Sequence, residues 1–410
     1  MSSSHSMVLT ETQLKAFKEF LGHAGDYCIS FSSGVDEGEN FGGIIIRADV
    51  TWKEGNKECT SHYIIKCTPP SESLQRLIPV QTAFIIETYV YSRVLKEFNI
   101  IQREYNLRKP LDCFPVYYTS LPTTKEKMIV LQNVKELGYR HYDRFQPLDY
   151  PHLLCVVKEY ARVHALTYAI RHYKPVLFEE FEANTENHVF HDFKYEGIMM
   201  VTQHRMDHAL KALESIEDTT LYKKFACFAQ NVRSVFEKLL NSKKKHRVIS
   251  HIDCGIPNFL FKYDPSSGEL LSTCIIDWQQ ARLESPAVDL VTFIFSAADK
   301  ATRERYDELI MEYHKTFCSF LGEFGCDGEK LLPFEDLQEE LMEFGLLGLI
   351  IGISLIYVYA TVDQKVPDIF QTECPKEEFG FLYDLQDSSK FDKRVREAIC
   401  DFNRFGYNFE

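Results

Sequence analysis

The sequence predicts an α+β fold of two lobes, a small antiparallel-sheet lobe with one key helix and a larger, mainly helical lobe. The first observation is the length, because 410 residues exceed what one small core holds, and 45% of them are hydrophobic. The second is the order of patterns, since strand-like segments prevail up to Gln132 and helix-like segments prevail after it. We therefore expect an N-terminal lobe over residues 1–132 and a C-terminal lobe over residues 133–410.

The chain opens with a helix and continues with strands. Thr10 and Gln13 have the spacing of a capping box, which predicts a helix over residues 11–21, and Gly22 ends that helix. Strand patterns follow at residues 29–33, 44–47 and 61–67.

A turn between the first two strands contains Gly38, Asn40 and Gly42. Glycines there would let backbone N–H groups approach phosphate oxygens. A plain hairpin turn explains the glycines equally well, and the turn does not match the G-x-G-x-x-G pattern of protein kinases. Its position just before a strand that carries a lysine favours the phosphate-binding interpretation.

That lysine, Lys66, lies near the end of the third strand, and Glu87 lies on a helix predicted from the apolar spacing of residues 84–95. A lysine that contacts nucleotide phosphates needs a carboxylate to hold its long side chain, and in kinases a glutamate on a facing helix supplies it. Taken singly, an ordinary edge-strand lysine and an exposed helix acid would be the favoured explanations. Together and in this order, they favour a nucleotide site.

The segment from His251 to Asn258 is the most informative part of the chain. Asp253 and Asn258 lie five residues apart, and Asp277 follows the second strand of a hairpin whose turn is at residues 264–268. Metal-assisted phosphoryl transfer needs such a set, with one carboxylate for the acceptor hydroxyl and an amide oxygen and a second carboxylate for Mg²⁺. The alternative is a surface turn before a hairpin, with Asp253 a solvated acid.

The ordered set resembles the ecdysteroid kinase-like family, also called CHK kinase-like, within the protein-kinase-like superfamily of aminoglycoside phosphotransferases and choline kinases. The likeness extends from about Gly38 to Tyr359. The segments that carry it are residues 38–40, 64–66, 84–87, 128–139, 161–165, 251–263 and 275–290.

The resemblance implies a bilobal protein-kinase-like fold and an ATP- and Mg²⁺-dependent kinase that phosphorylates a hydroxyl group of a small molecule, such as an ecdysteroid-like alcohol. It implies Asp253 as the catalytic residue, and Asn258 and Asp277 as the metal ligands. The other implied site residues are Gly38, Asn40, Gly42, Lys66, Glu87, Gln132 and Val134 for the nucleotide, and His251 and Asp289 for support of the catalytic loop.

The chain departs from the family pattern in two places, the catalytic loop at residues 251–258 and the hinge between the lobes at residues 132–138. The family usually has Gly, Trp and Asn where this chain has Ile252, Gly255 and Pro257. Its hinge commonly has Glu where this chain has Gln132. Pro257 fixes the backbone next to Asn258, which could displace that ligand. A kinase-like binding protein with weak or no turnover, and a choline- or aminoglycoside-type kinase, are therefore the alternative functions.

Composition limits the partners and the location. Lys and Arg total 46 against 60 Asp and Glu, and the net charge of −14 argues against nucleic acid as a partner. Twelve cysteines are scattered without a C-x-x-C pair, and the first residues lack an apolar signal segment. Both observations favour a reducing cytoplasm. The oligomeric state is left open.

Three segments have misleading patterns. Residues 344–360 carry no charge, but a membrane helix usually needs ~20 apolar residues, so we expect a buried helix and no membrane span. The basic run at residues 243–247 is expected to be a solvated helix end. His204 and His208 have a spacing that a metal could use, but without an evident third ligand they are expected on the surface or on a pocket wall.

Overall fold

The computed structural model describes residues 9–22, 26–34, 44–68, 80–122, 126–185, 196–360, 385 and 387–409. These residues form an α+β protein in which an antiparallel sheet precedes a larger helical part, as predicted. The described helices are α1 (Glu11–Leu21), α2 (Val80–Tyr89), α3 (Leu95–Glu104), α4 (Tyr150–Tyr173), α5 (Pro175–Thr185), α6 (Glu196–Ala212), α7 (Thr219–Gln230), α8 (Val232–Asn241), α9 (Pro286–Ala297), α10 (Lys300–Arg303), α11 (Tyr306–Gly322), α12 (Gly328–Leu331), α13 (Phe334–Ala360) and α14 (Ser389–Arg404).

The strands form one large and two small antiparallel sheets. The large sheet has the strand order β1-β2-β3-β5-β4, and the small ones have the orders β6-β8-β9 and β10-β7. The described strands are β1 (Tyr27–Ser33), β2 (Ile44–Glu54), β3 (Lys57–Cys67), β4 (Tyr117–Pro122), β5 (Lys127–Gln132), β6 (Tyr139–His141), β7 (Val248–Ser250), β8 (Phe259–Tyr263), β9 (Leu270–Ile275) and β10 (Arg282–Glu284).

Helix α1 covers one face of the large sheet. Its predicted capping box is present, because Thr10 Oγ1 accepts a hydrogen bond from the Gln13 amide and the Gln13 side chain accepts one from the Thr10 amide. Gly22 ends the helix at φ +76°, where a residue without a Cβ is least strained. The buried Phe17 ring packs on the sheet beside Ile46 and Ile65, so local capping and apolar burial together fix this helix.

The helix predicted over residues 84–95 is longer and less regular than its spacing indicates. It begins at Val80 and contains a π-helical turn over Val90–Val94 before it continues as α3. Such turns insert one extra residue per turn and rotate the following side chains, a change that apolar spacing does not reveal. Glu87 lies before the turn and faces the sheet.

The charge-free run predicted as a buried helix lies in α13, which packs against the fully buried helix α9. Thr292 Oγ1 of α9 donates a hydrogen bond to the Gly348 carbonyl of α13 at 3.1 Å. Helix α13 is the one described helix that is long and apolar enough to cross a membrane, and 67% of its most apolar window is buried inside the protein. The burial supports the prediction of a core helix.

Two glycines of α13 provide a stability test. A Cβ at Gly348 would lie 2.9 Å from the Val288 carbonyl oxygen and 3.0 Å from the Thr292 amide nitrogen, so backbone atoms would have to move. We expect Gly348→Ala to lower the free energy of unfolding by about 1–3 kcal/mol through overpacking. At Gly352 the nearest atom would be 3.5 Å away, so Gly352→Ala should be neutral, or stabilising by up to ~1 kcal/mol through helix propensity. Urea unfolding of both variants measures the contrast, and equal effects would contradict the close packing.

The prediction of a solvated helix end at residues 243–247 is wrong for two of the five residues. His246 is buried, the side chain of Lys244 is 7% exposed, and Lys244 Nζ lies 3.3 Å from Glu284 Oε1 on β10. His246 Nε2 lies 3.0 Å from Asp336 Oδ2 on α13. The run therefore attaches the end of α8 to the core. Its acidic partners, Glu284 and Asp336, lie on elements that are distant in sequence.

Candidate active site

Lys66 occupies the end of β3, where its side chain is held between two carboxylates. Lys66 Nζ lies 2.7 Å from Glu87 Oε2 of α2 and 2.6 Å from Asp277 Oδ1 after β9. Glu87 is 1% exposed and Lys66 is 7% exposed, whereas Asp277 is 26% exposed and faces a cavity. The expected Lys66–Glu87 pair is thus present, and the direct contact with Asp277 is an addition that the sequence pattern did not predict.

Burial and neighbouring charges shift the pKa values of Lys66 and Glu87 in opposite directions. Burial disfavours the ammonium of Lys66, but the charges of Asp277 and Glu87 outweigh it and raise the pKa of Lys66 above its ordinary value. Burial also raises the pKa of Glu87, and the attraction of Lys66 only partly offsets that rise. Lys66 is therefore a firmly protonated cation that presents its charge at the cavity.

The predicted catalytic loop, residues 251–258, is anchored to the helical part by Asp289, the fourth residue after the N-cap of α9. The amides of His251 and Ile252 each donate a hydrogen bond of 2.8 Å to the Asp289 carboxylate. His164 Nε2 of α4 lies 3.3 Å from the same carboxylate, while Tyr313 lies 2.8 Å from His164 Nδ1. Burial works against ionisation of Asp289, but the hydrogen bond with His164 and the backbone donors lower the pKa of Asp289 below its usual value.

Ile252 shows why the family pattern has glycine at its position. Its φ is +69°, a left-handed conformation that is strained for a β-branched residue, and its side chain is 1% exposed. The hydrogen bond from its amide to Asp289 and the apolar burial of the side chain hold the residue in place. Asp277 is also left-handed, at φ +66°, so strained backbone flanks the candidate site on both sides.

His251 links the catalytic loop to the hairpin that carries Asp277. Its Nε2 lies 2.8 Å from the Ile276 carbonyl oxygen, and its ring packs edge-on against Trp278. The Ile276 amide in turn donates to the Asn258 carbonyl at 3.0 Å. These contacts join the loop and the end of β9, which fits the supporting position expected for His251.

Pro257 is accommodated without distortion of the loop. It lies in a single 3-10 turn, Ile256–Asn258, where its missing N–H group is not needed. The Asn258 amide donates to the Gly255 carbonyl at 2.9 Å, and Asn258 Nδ2 donates to the Asp253 carbonyl at 2.8 Å. Because the side-chain nitrogen of Asn258 donates this hydrogen bond, the side-chain oxygen is the atom of this residue that could bind a metal ion.

Asp253 lines the same cavity as Asp277. Its Oδ2 accepts a long hydrogen bond of 3.4 Å from Gln279 Nε2. Burial, followed by the negative charge of Asp277, raises the pKa of Asp253 above its ordinary value. A carboxylate whose pKa is moved in this direction is a better proton acceptor near neutral pH than an exposed aspartate is.

One cavity of about 380 Å³ brings these side chains together, within the 300–1,000 Å³ that is usual for small-molecule sites. Of the residues predicted for the site, those that line it are Lys66, Glu87, Gln132, Val134, Asp253, Asn258 and Asp277. His251 and Asp289 lie behind the lining as supports. Gly38, Asn40 and Gly42 lie outside the described residues, so their predicted contact with phosphates stays a prediction.

The cavity also has lining residues that sequence reasoning missed. Leu355, Val358 and Tyr359 of α13 form an apolar wall opposite Gly255, and Arg205 of α6 lies at the same cavity. Tyr359 Oη accepts a 2.8 Å hydrogen bond from the Ile256 amide. The apolar spacing of α13 indicated a buried helix, but it held no signal that the end of this helix reaches the catalytic loop.

His204 and His208 belong to an aromatic cluster. Their rings pack at 4.6 Å from one another, and the ring of Tyr357 lies 6.0 Å from that of His204 and 5.4 Å from that of His208. Phe391 of α14 packs on His208 at 6.4 Å. Neither histidine lines the cavity that contains Lys66 and Asp253, so their expected position on the surface or on a pocket wall stays a prediction.

The fold and the lysine, carboxylate and amide side chains at the cavity match the arrangement expected for a kinase-like phosphotransferase. A model of the ecdysteroid kinase-like family matches residues 37–325, which is more than half of the chain. The chain therefore belongs to the ecdysteroid kinase-like family, as the sequence motifs indicated.

The solved structures that are similar to this chain include two complexes of aminoglycoside 2'-phosphotransferase-IIIa with GDP. A mutant form is 12% identical over 96% of this chain and 98% of that chain, with a TM-score of 0.38. The wild-type form is 11% identical over 92% of this chain and 97% of that chain, with a TM-score of 0.37. Similarities this low add nothing to the assignment of residues. No curated protein matches the chain.

Proposed function

We propose that this protein is an ATP- and Mg²⁺-dependent kinase that transfers a phosphoryl group to a hydroxyl group of a small molecule, with an ecdysteroid-like alcohol as the acceptor. One observation carries the proposal: a single cavity is lined by a buried lysine, Lys66, and by the acid–amide–acid set of Asp253, Asn258 and Asp277. Phosphoryl transfer requires positioning and charge stabilisation, and these groups supply both.

Lys66 is the residue proposed to bind the nucleotide phosphates. Glu87 lies 2.7 Å from its ammonium nitrogen, and this ion pair fixes the orientation of the lysine side chain. Gln132 and Val134 line the cavity at the connection that follows β5, which suits the adenine. Gly38, Asn40 and Gly42 are proposed, from the family resemblance, to approach the phosphates.

The side chains of Asn258 and Asp277 are chemically suited to bind a magnesium ion. Both offer oxygen, the ligand atom that Mg²⁺ prefers, and both line the cavity that Lys66 faces. When bound, the ion would neutralise charge on the phosphates. Asp277 is hydrogen-bonded by Lys66 at 2.6 Å, so the protein balances the charge of this carboxylate with its own cation.

Asp253 is the residue proposed to orient the acceptor hydroxyl and accept its proton. The raised pKa of Asp253 suits that role. Within the described part of the chain, Gln279 donates a side-chain hydrogen bond to one of the two carboxylate oxygens, Oδ2. The proton would move from the acceptor oxygen to the carboxylate as the new P–O bond forms and the bond to the leaving diphosphate breaks.

The charges of the cavity favour an uncharged alcohol over a polycationic acceptor. Among its described lining residues the carboxylates are Glu87, Asp253 and Asp277, and each already has a proposed role. The additional lining at the α13 wall is apolar, and Arg205 adds positive charge. Several acids would be needed for an aminoglycoside, so this alternative and a choline-type kinase are less well supported.

The proposed location is the cytoplasm. The cysteines of the described chain are free thiols, including the buried Cys67, Cys113, Cys254 and Cys274, and such usage suits a reducing compartment.

A turnover assay tests the proposal. The full chain would be incubated with ATP and Mg²⁺ and, separately, with ecdysone, choline or kanamycin, while ADP release and phosphorylated product are measured. We expect ADP release and a phosphorylated product with ecdysone. Phosphorylation of choline or kanamycin alone would support the alternative kinases, whereas nucleotide binding without turnover on any acceptor would support a binding protein.

A further inference from the structure

Three side chains that could bind a metal ion, His314, Cys318 and Glu329, lie close together in the helical part of the described chain. His314 and Cys318 are four residues apart on α11, so they face the same side of that helix. Glu329 belongs to the short helix α12, which follows α11. Each residue offers one ligand atom, and these atoms all lie within 4.8 Å of one another. None of the three lines the cavity that contains Lys66, so the cluster is separate from the candidate active site.

The cluster forms because the backbones of α11 and α12 are in direct contact. A Cβ at Gly328, the residue before Glu329, would lie 2.5 Å from Cys318 Cα, a distance at which the two atoms overlap. Glycine at this position therefore allows α12 to approach α11 more closely than any other residue would. This approach brings Glu329 Oε2 to 3.8 Å from Cys318 Sγ.

Hydrogen bonds orient the imidazole and the carboxylate of the cluster. His314 Nε2 lies 2.8 Å from the Leu332 carbonyl oxygen. Because a carbonyl oxygen only accepts, Nε2 carries the proton of the neutral ring, and the lone pair is on Nδ1, 3.9 Å from Cys318 Sγ. Glu329 Oε1 accepts a hydrogen bond of 3.3 Å from the Phe334 amide, while Oε2 is the oxygen near the thiol. Histidines and carboxylates that bind metals in proteins are typically held by such additional contacts.

The donor atoms and their separations fit zinc. Tetrahedral zinc binds nitrogen and oxygen at ~2.0–2.2 Å and sulfur at ~2.3 Å, so a sulfur ligand lies about 3.5 Å from its neighbours. The two separations measured from Cys318 Sγ are 3.9 Å and 3.8 Å, close to that value. A nitrogen, a sulfur and an oxygen donor suit zinc, whereas Mg²⁺ prefers oxygen donors alone.

We propose that His314 Nδ1, Cys318 Sγ and Glu329 Oε2 bind a zinc ion that links α11 to α12, with water as the fourth ligand. The Cys318 thiol releases its proton to the solvent when it binds the ion as a thiolate. The side chain of Glu329 is 60% exposed, so the ion can enter from the surface. The bound ion would stabilise the connection between the two helices, and this role does not depend on the proposed kinase activity.

Zinc binding is tested on the full chain, after its metals are removed with EDTA and its thiols are kept reduced. Zn²⁺ would be titrated in competition with a chromophoric zinc chelator. We expect one tightly bound ion, and we expect Cys318→Ser and Glu329→Gln each to weaken its binding at least about tenfold, since even the loss of a supporting contact weakens metal binding by about 10–100-fold. The control is Cys227→Ser, which removes an exposed thiol of α7 and should leave zinc affinity unchanged.

Co²⁺ and urea unfolding provide two further readouts. Co²⁺ in place of zinc should give a thiolate-to-cobalt charge-transfer band in the unmodified protein and in Cys227→Ser, and no such band in Cys318→Ser. Zn²⁺ should raise the urea midpoint of the unmodified protein and of Cys227→Ser more than that of Glu329→Gln, because an ion that binds only the folded state stabilises it.

The competing explanation of the cluster is an ion pair, because Glu329 Oε2 also lies 3.6 Å from His314 Nε2. An unmodified protein that binds no zinc tightly would overturn the inference and leave this ion pair. Zinc affinity that is equal in the unmodified protein and in Glu329→Gln would overturn it as well. Glu329→Gln changes an exposed side chain, so this comparison decides the question even if Cys318→Ser does not fold.

Discussion

Replacement of Asp253 by asparagine is expected to reduce kcat by roughly 10²–10⁴, the range for loss of a positioned acid–base group. The variant keeps the shape of the side chain, but it removes the negative charge that would accept the proton. ATP affinity should change little, because Lys66 and not Asp253 is proposed to bind the phosphates. Steady-state kinetics with the best acceptor and nucleotide calorimetry on the same preparation measure the two effects.

Asp264 provides the matched control for this variant. It lies in the turn of the β8–β9 hairpin that follows the Asp253 loop, where its Oδ1 accepts hydrogen bonds of 2.8 Å from the amides of Ser266 and Ser267, and it does not line the cavity. Asp264→Asn should leave kcat unchanged. Near-normal turnover of Asp253→Asn would remove Asp253 from the mechanism.

Replacement of Asp289 by alanine is expected to lower the free energy of unfolding by about 3–5 kcal/mol, since it breaks a buried, charged hydrogen-bond network. The amides of His251 and Ile252 would lose their acceptor, and Ile252 would lose the contact that stabilises its left-handed backbone. The pKa of Asp289 is lowered by its partners, so its stabilisation is present above its unfolded pKa and is lost as pH falls through the folded value. Urea unfolding at pH 7 and at low pH measures the effect.

Glu343 is the control for Asp289, because it is an acid on the exposed face of α13. Glu343→Ala should change the free energy of unfolding by no more than about 0.5 kcal/mol. If Asp289→Ala were equally mild at pH 7, or if its effect did not shrink at low pH, the supporting role of Asp289 would be wrong.

The parts of the fold that the sequence predicted are those that depend on neighbouring residues. The capping box at Thr10, the stop at Gly22 and the hairpin around Asp264 are each determined within a few positions. Lys66 and Glu87 were also paired correctly, although they lie on different elements. That pairing came from the order of the motifs, because no local rule specifies a partner on another element.

The parts that were missed depend on contacts between distant segments. Tyr359 reaches the catalytic loop from about a hundred residues further along the chain, and no pattern in α13 indicates this. The side chain of Lys244 is only 7% exposed and pairs with Glu284 of β10, a residue that lies far along the chain. The strain at Ile252 had one signal in the sequence, the glycine that the family pattern has at this position, because the φ value itself follows from the packing of the loop on Asp289.

The central claim, that Asn258 and Asp277 bind a metal on the nucleotide phosphates, is tested most directly by calorimetry of ATP binding with Mg²⁺ and with EDTA. We expect ATP to bind more tightly when Mg²⁺ is present, and Asp277→Ala to abolish that gain, because the carboxylate that now contacts Lys66 at 2.6 Å would supply a metal ligand. ATP binding by the unmodified protein that is the same with and without Mg²⁺ would contradict the kinase assignment and favour a kinase-like binding protein.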